Sequence, residues 1–316
     1  MFSIFQSPFF SVIHDSWQLA SQAFADESKS YRRKQKWKCL VHALANPRFA
    51  SEWFNLLKSS DFNIVFSNRK QLYIKPFRVY MSIRWSKKQK VKVILDTYRY
   101  IQNKGKVFLQ VITQNRLDLV QFNLNDTIEG VLTLGYDYKY RKEGELVLSF
   151  ICEPLGGVIA AAAFSFEEVS PSRWICRIGC VQGHQKNDSY PAKTAQKLLH
   201  GLRPKALVVF AIQEFARQLG MEAVYGASDS IQAYRRKHAI NIPLIHGIPF
   251  NYNALWEESG GRLLNDGWYE LPLTAVRKEP KEIKTSKRAL YQRRYHLLDN
   301  LSSMIADTVK KIEIEI

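Results

Sequence analysis

The residues best suited to chemistry lie in two runs, Gly179-Cys-Val-Gln182-Gly183 and, after a polar spacer, His200-Gly-Leu-Arg203-Pro204-Lys205. A strand ending in Gln-Gly would feed a helix whose first turn carries Gly201, Leu202, Arg203 and Lys205. Backbone amides and two cations would then face one spot, a geometry that holds an anion, most naturally phosphate. The plainer reading is a turn at Gly201 with Arg203 and Lys205 in solvent, and the pattern alone does not choose between them.

A second cluster, Tyr252-Asn-Ala-Leu-Trp256-Glu257-Glu258-Ser-Gly260-Gly261, leads to Asp266-Gly-Trp268-Tyr269. Its aromatic residues read as core. Glu257 and Glu258 are adjacent, so a helix points them about 100° apart and they make a poor acid/base pair. The seven histidines are scattered, none at the four-residue spacing of a helical metal pair, which argues against a metal site. No Gly-x-Ser-x-Gly, Walker or Gly-x-Gly-x-x-Gly run is present, so the commonest hydrolase, NTPase and dinucleotide signatures are missing.

The elements that position these residues follow from periodicity. From Ser30 to Leu57 the chain reads as helix broken at Asn46-Pro47, with Trp37, Leu40, Val41 and Leu44 on the apolar face and Arg32, Arg33 and Lys36 opposite. A second basic amphipathic helix follows Ser86. Its lysines 87, 88, 90 and 92 sit where cations oppose the helix dipole, so they do not serve helix stability. Val107–Thr113, Leu119–Leu124, Gly130–Tyr138, Glu145–Ile151, Gly157–Phe166 and Trp174–Gln182 read as strands with short connections, which favour antiparallel neighbours. A helix spans Pro204–Leu219, with proline at its start and Gly220 at its stop. Ala223–Ala227 and Trp268–Leu271 are further strands, separated by a short helix near Ile231–Lys237, and a charged helical tail follows Pro280. The order implies an α+β fold: a basic, mainly helical region (1–105), a mostly antiparallel sheet with a strand-helix-strand carboxyl half (106–280), and a helical tail (281–316).

Composition narrows the classes. Of 316 residues, 46% are hydrophobic and 24% charged, the balance of a globular chain. No apolar run exceeds the seven residues of Val158 to Phe164, far below the roughly 18 residues of a membrane span. Ala23-Phe24-Ala25 has the look of a signal-peptidase site, but no basic residue precedes Lys29 and His14-Asp15 interrupts the apolar stretch. This favours the cytoplasm, free or peripheral at the inner membrane, over a periplasmic location. Cys39, Cys152, Cys176 and Cys180 read as reduced core residues. The net charge is +17, and residues 1–110 hold 20 basic against 6 acidic side chains. Such a field attracts phosphate of lipid, lipopolysaccharide or RNA. Tyr73 to Trp85 interleaves aromatic and basic residues as a stacking platform for RNA would, or as an amphipathic strand would.

Together with Lys193-Thr194, Tyr234-Arg235, Trp256–Gly261 and Lys287-Arg-Ala-Leu-Tyr-Gln-Arg-Arg-Tyr-His-Leu-Leu-Asp299, the first two runs resemble the VirK/YbjX family of Gram-negative bacteria. The likeness covers most of the chain and is densest after residue 170. It implies support for the production or surface placement of virulence factors, and resistance to cationic peptides through the state of the envelope; it supplies no catalytic residue. The carboxyl half is also similar to the Gcn5-related acetyltransferases. That likeness implies acyl-CoA as cofactor, its pyrophosphate cradled by Gln182, Gly183, Gly201, Leu202, Arg203 and Lys205, with Tyr234 protonating the leaving thiolate. Leu202-Arg203-Pro204-Lys205 stands where that fold carries a glycine-rich loop.

Overall fold

The computed structural model describes residues 8–183, 190–235 and 250–314, and the chain divides into two units. The first holds described residues 8–79 and 86–91. Helices α1 (Pro8–Ala23), α2 (Lys29–Leu44), α3 (Pro47–Leu57) and α4 (Asn63–Asn68) are followed by a 3-10 stretch, Lys70–Phe77. Ser28 caps α2 by accepting from the Tyr31 amide, and Pro47 opens α3 at a position where a missing N–H is harmless. The core gathers Trp53, Phe54, Leu57, Tyr73 and Phe77, with the Trp53 indole donating to the Tyr73 carbonyl at 3.0 Å.

Two sequence expectations fail in this region. α2 is a helix as the periodicity implies, but it is turned the other way: Gln35, Cys39 and Ala43 are buried while Trp37 and Val41 are 55% and 60% exposed. Small residues explain the choice. Ser16 and Ala20 of α1 and Cys39 and Ala43 of α2 are all fully buried, and small side chains let two packed helices approach closely. The stacking platform also fails, because Tyr73, Phe77 and Tyr80 are interior.

The second unit, described residues 80–85, 92–183, 190–235 and 250–314, is built on one eight-stranded sheet in the order β1-β2-β3-β4-β5-β6-β8-β7. Strands β1 (Arg116–Asn123), β2 (Glu129–Gly135), β3 (Leu146–Cys152), β4 (Gly157–Ser170) and β5 (Arg173–Gly183) form an antiparallel meander. Helices α7 (Tyr190–Leu198) and α8 (Pro204–Gln218) then carry the chain to β6 (Ala223–Ala227), which pairs parallel with β5. α9 (Tyr252–Glu258), β7 (Arg262–Leu263), β8 (Trp268–Leu271) and α10 (Arg288–Ile314) complete the unit. The expected α+β class and mostly antiparallel sheet are what the chain forms. α8 packs over β3, β4 and β5, and α10 runs beside α8 and against β1. The core includes Phe108, Phe150, Phe164, Phe166 and Phe215, with Trp256 packed against Gly226 of β6 and Trp268 of β8 buried as well.

The basic helix expected after Ser86 is α5 (Lys87–Asn103), and residues Val107–Thr113, expected as a strand, form the next helix, α6 (Lys106–Thr113). Its β-branched residues suggest a strand, but Phe108, Val111 and Ile112 share one buried helical face, and Gly105 at φ +93° starts the turn. Tertiary burial overrides propensity here. The spacer before His200 contains α7, a helix the polar composition conceals. The expected short helix near Ile231–Lys237 is a single 3-10 turn at Ala233–Arg235, and residues 236–237 lie outside the described residues.

Candidate functional site

The site grows from a parting of two strands. β5 pairs with β6 only over Ile175–Ile178, while on its other side it continues along β4 as far as Gly183. Where the parting begins, β5 carries one extra residue: Cys180 pairs with Ala163 and Ile178 with Phe164, leaving Gly179 as a bulge. A bulge bends a strand and re-aims its groups. Gly179 is required there, because a Cβ would fall 1.9 Å from the Glu143 carbonyl oxygen. On the opened side the Gln232 side chain donates to the Gly179 carbonyl, and the Tyr252 hydroxyl donates to that of Val181 at 3.2 Å.

The Glu143 side chain is buried beside these groups. Burial first and Glu143 second push up the Cys180 thiol and the Tyr234 phenol, and Glu143 adds to the upward shifts of Tyr140 and Tyr252, which burial dominates. Gln182 meets the half-exposed Tyr234 through a side-chain hydrogen bond, and its amide nitrogen lies 4.0 Å from the Cys180 sulfur. Of the sequence-predicted residues, Gln182 and Tyr234 therefore come together.

Gly183 and Lys205 form a second pair. The Lys205 Cε would lie 3.1 Å from a Cβ at Gly183, and its ammonium sits 3.2 Å from the Phe250 ring centroid. Burial, then Arg203, pull the Lys205 amine down to about 8. The other three residues are engaged elsewhere. Gly201, at φ +79°, ends α7: its amide donates to the Gln196 carbonyl at 2.8 Å, and the Leu202 amide donates to that of Leu199 at 3.0 Å. The Arg294 guanidinium clamps this turn through two bonds to the His200 carbonyl. Arg203 pairs with Glu258. The α8 terminus thus presents Lys205 beside the strand end, while Gly201 and Leu202 serve the α7 turn. Sequence reasoning missed Glu143, Gln232 and the inward role of Tyr252; only the Glu143-Gly144-Glu145 run hinted at the first, and it reads equally as a turn.

Two further surfaces carry charge. The Lys287–Asp299 motif lies at the start of α10 and lines a groove of about 1030 Å³ with Tyr291, Tyr295, Arg288, Arg293, His200 and Lys278. In the first unit, α2 holds six cations and no carboxylate in sixteen residues. Burial, then Arg78 and Lys34, lower the Lys38 amine, and the neighbouring cations Arg78, Lys87 and Lys38 add to the burial that lowers His42. Among the described residues no group of three His, Cys, Asp or Glu side chains is placed to hold a metal, and no helix is long and apolar enough to cross a membrane.

The chain belongs to a family defined by sequence. The profile described as "Protein of unknown function (DUF535)" matches residues 28–307, and the chain is a member of that family, the VirK/YbjX family. It is 29% identical to "Uncharacterized protein YbjX" of Escherichia coli (strain K12) over 281 residues, 87% of this chain and 84% of that protein. Two proteins of Haemophilus influenzae, each called "Uncharacterized protein", are similar over shorter stretches. One is 32% identical over 44% of this chain and 45% of its own length, the other 34% identical over 41% and 42%. No solved structure matches the chain.

Proposed function

We propose that this protein supports the bacterial envelope and the surface placement of virulence factors as a basic interaction protein, working against an anionic partner through its first unit. The carrying observation is α2: six cations and no carboxylate in sixteen residues, with the Lys38 amine lowered by burial and then by Arg78 and Lys34. Such a surface gains most from a phosphate-rich partner such as lipopolysaccharide or a lipid leaflet. The test combines binding and phenotype. Association with lipopolysaccharide falls steeply as salt shortens the screening length from about 10 Å to about 3 Å. A deletion strain is expected to be sensitive to cationic antimicrobial peptides, and a strain carrying Lys34→Glu with Lys38→Glu to be equally so. Binding indifferent to salt, or full complementation by the charge-reversed chain, overturns the reading.

A second reading, an acyl-CoA-dependent acyltransferase, is favoured by the pairing of Gln182 with Tyr234 at the parted strands and by the lowered Lys205 amine at the α8 terminus. The groove lined by Arg288, Arg293 and Lys278 would offer further phosphate contacts. The engagement of Gly201 and Leu202 in the α7 turn weighs toward the interaction reading. In this second reading acetyl-CoA or a longer acyl-CoA raises the melting temperature, by about 2.7 kcal/mol of stabilisation at a hundredfold excess over Kd, and Lys205→Ala removes the effect. A flat response across acyl-CoA lengths eliminates it.

A further inference from the structure

The first unit leaves apolar side chains where folding would ordinarily hide them. α1 exposes Phe10 and Trp17 (46% and 40%), and α2 exposes Trp37 and Val41. Three of them share one groove, and Val41 lies one helical turn beyond Trp37. Trp17 and Trp37 meet edge to face with centroids 5.8 Å apart, and Phe10, Ile13, Trp17, Trp37 and Leu40 line one groove of about 860 Å³. On α2 the exposed positions 34, 37, 38 and 41 recur at helical spacing, so Lys34 and Lys38 flank Trp37 and Val41 on one stripe. Lys36 adds its ammonium 4.8 Å over the Trp17 ring. The lone acid in the groove, Asp15, is paired with Lys58 at 2.7 Å, so it does not cancel these cations.

Isolated exposed apolar residues are ordinary; a two-helix patch with two tryptophans inside a rim of lysines is not. Tryptophan favours the boundary between lipid headgroups and acyl chains, and lysine stems can lie along apolar surface while the ammonium reaches phosphate. Nucleic acid matches the charge but gives Val41 and Phe10 nothing to enter. A second copy of the chain matches the apolar groove but sets lysine against lysine. A bilayer of anionic phospholipid satisfies both.

We infer that the α1–α2 face docks on an anionic phospholipid leaflet, with Trp17, Trp37, Val41 and Phe10 entering the interface and Lys34 and Lys38 on the headgroup phosphates. The inference rests on the anionic-partner reading above and narrows it to one partner held by burial as well as charge.

The full chain is incubated with vesicles of phosphatidylcholine alone, or with about one quarter phosphatidylglycerol, and binding is followed by sedimentation. Vesicles with brominated acyl chains quench interfacial tryptophan fluorescence. The expected result is binding to the anionic vesicles alone, with quenching that the Trp17→Phe, Trp37→Phe double variant loses. Trp37→Ala with Val41→Ser weakens binding by roughly tenfold or more, and Lys34→Glu with Lys38→Glu by a similar or larger factor. All these positions are solvent-exposed, and circular dichroism checks that the variants fold. Salt-sensitive binding to lipopolysaccharide or polyphosphate without quenching by brominated chains overturns the bilayer inference while leaving the anionic-partner reading standing. Failure to bind any of these anions removes both. A chain that sediments as a dimer until Trp37 is replaced also overturns the inference, assigning the patch to a second copy.

Discussion

Replacing Gly179 by alanine lowers the stability of the second unit by about 3 kcal/mol, because nothing around the new methyl group can yield. The Cβ would stand 1.9 Å from the Glu143 carbonyl oxygen, 2.7 Å from its carbon and 3.0 Å from its Cα, all backbone atoms. Restoring an ordinary contact of 3.4 Å moves one backbone against the other by about 1.5 Å. Gly179 has no positive φ, so the penalty is steric. Overpacking by a methylene or so costs about 1–3 kcal/mol where side chains can adjust, and this site has none to adjust. The stiffer unfolded chain returns about 0.4–1 kcal/mol. For a unit of this size the melting temperature falls by about 6–12 °C. Gly183→Ala is the control four residues along the same strand: its Cβ meets only the flexible Lys205 Cε at 3.1 Å, and its stability stays within about 0.5 kcal/mol of the parent. Urea titration of both variants decides the matter. Equal stabilities, or a Gly179→Ala chain indistinguishable from the parent, would show that Glu143 is not seated on the bulge.

Three other outcomes follow from the same structure. Trp256, wholly buried with its indole donating to the Ala227 carbonyl at 2.9 Å and its ring against Gly226, loses about 3–5 kcal/mol on replacement by alanine, measured by denaturant unfolding. Lysine labelled at Cε shows one resonance titrating near pH 8 that vanishes in Lys205→Met. Since the folded amine titrates at about 8 and a free one at 10.5, the unfolded chain holds the extra proton between those values. Stability therefore gains from Lys205 as pH rises through that window, and the variant lacks the gain. The four cysteines, free and buried with thiols pushed above their usual range, do not react with a disulfide reagent in the native state and all react once it is denatured; rapid native labelling of any of them contradicts the packing described.

Periodicity found elements whose burial is nearly one-sided or complete. β6 and β8 have the expected bounds and α8 differs from expectation by one residue, because proline, glycine and Asp-Gly punctuation mark their ends in the chain itself. It failed where a neighbour decided. α2 was legible as a helix but not in its facing, since small residues on α1 and α2 outcompeted Trp37 and Val41 for the interior. α6 was hidden by β-branched composition, and α7 by a polar one. In the candidate site the strand end and helix start were legible, while Tyr234 entered only through the likeness to acetyltransferases. The bulge at Gly179 was not, because it depends on Glu143, 36 positions earlier in the chain. The engagement of Gly201 depends on the unforeseen α7.

The rims of the sheet limit how anything can join it. β1 skips a residue at Leu119, whose carbonyl is capped by the Thr308 hydroxyl of α10 at 2.7 Å, and β7 at the far rim is two residues long. Among the described residues the bulge interrupts the β1 rim and the β7 rim is short, so each breaks the long, flat row of amides and carbonyls that another polypeptide needs to extend a sheet by one more strand. Among the described residues, main-chain zippering is thereby hindered at Leu119 and shortened at β7, which favours association through helices, loops or side chains.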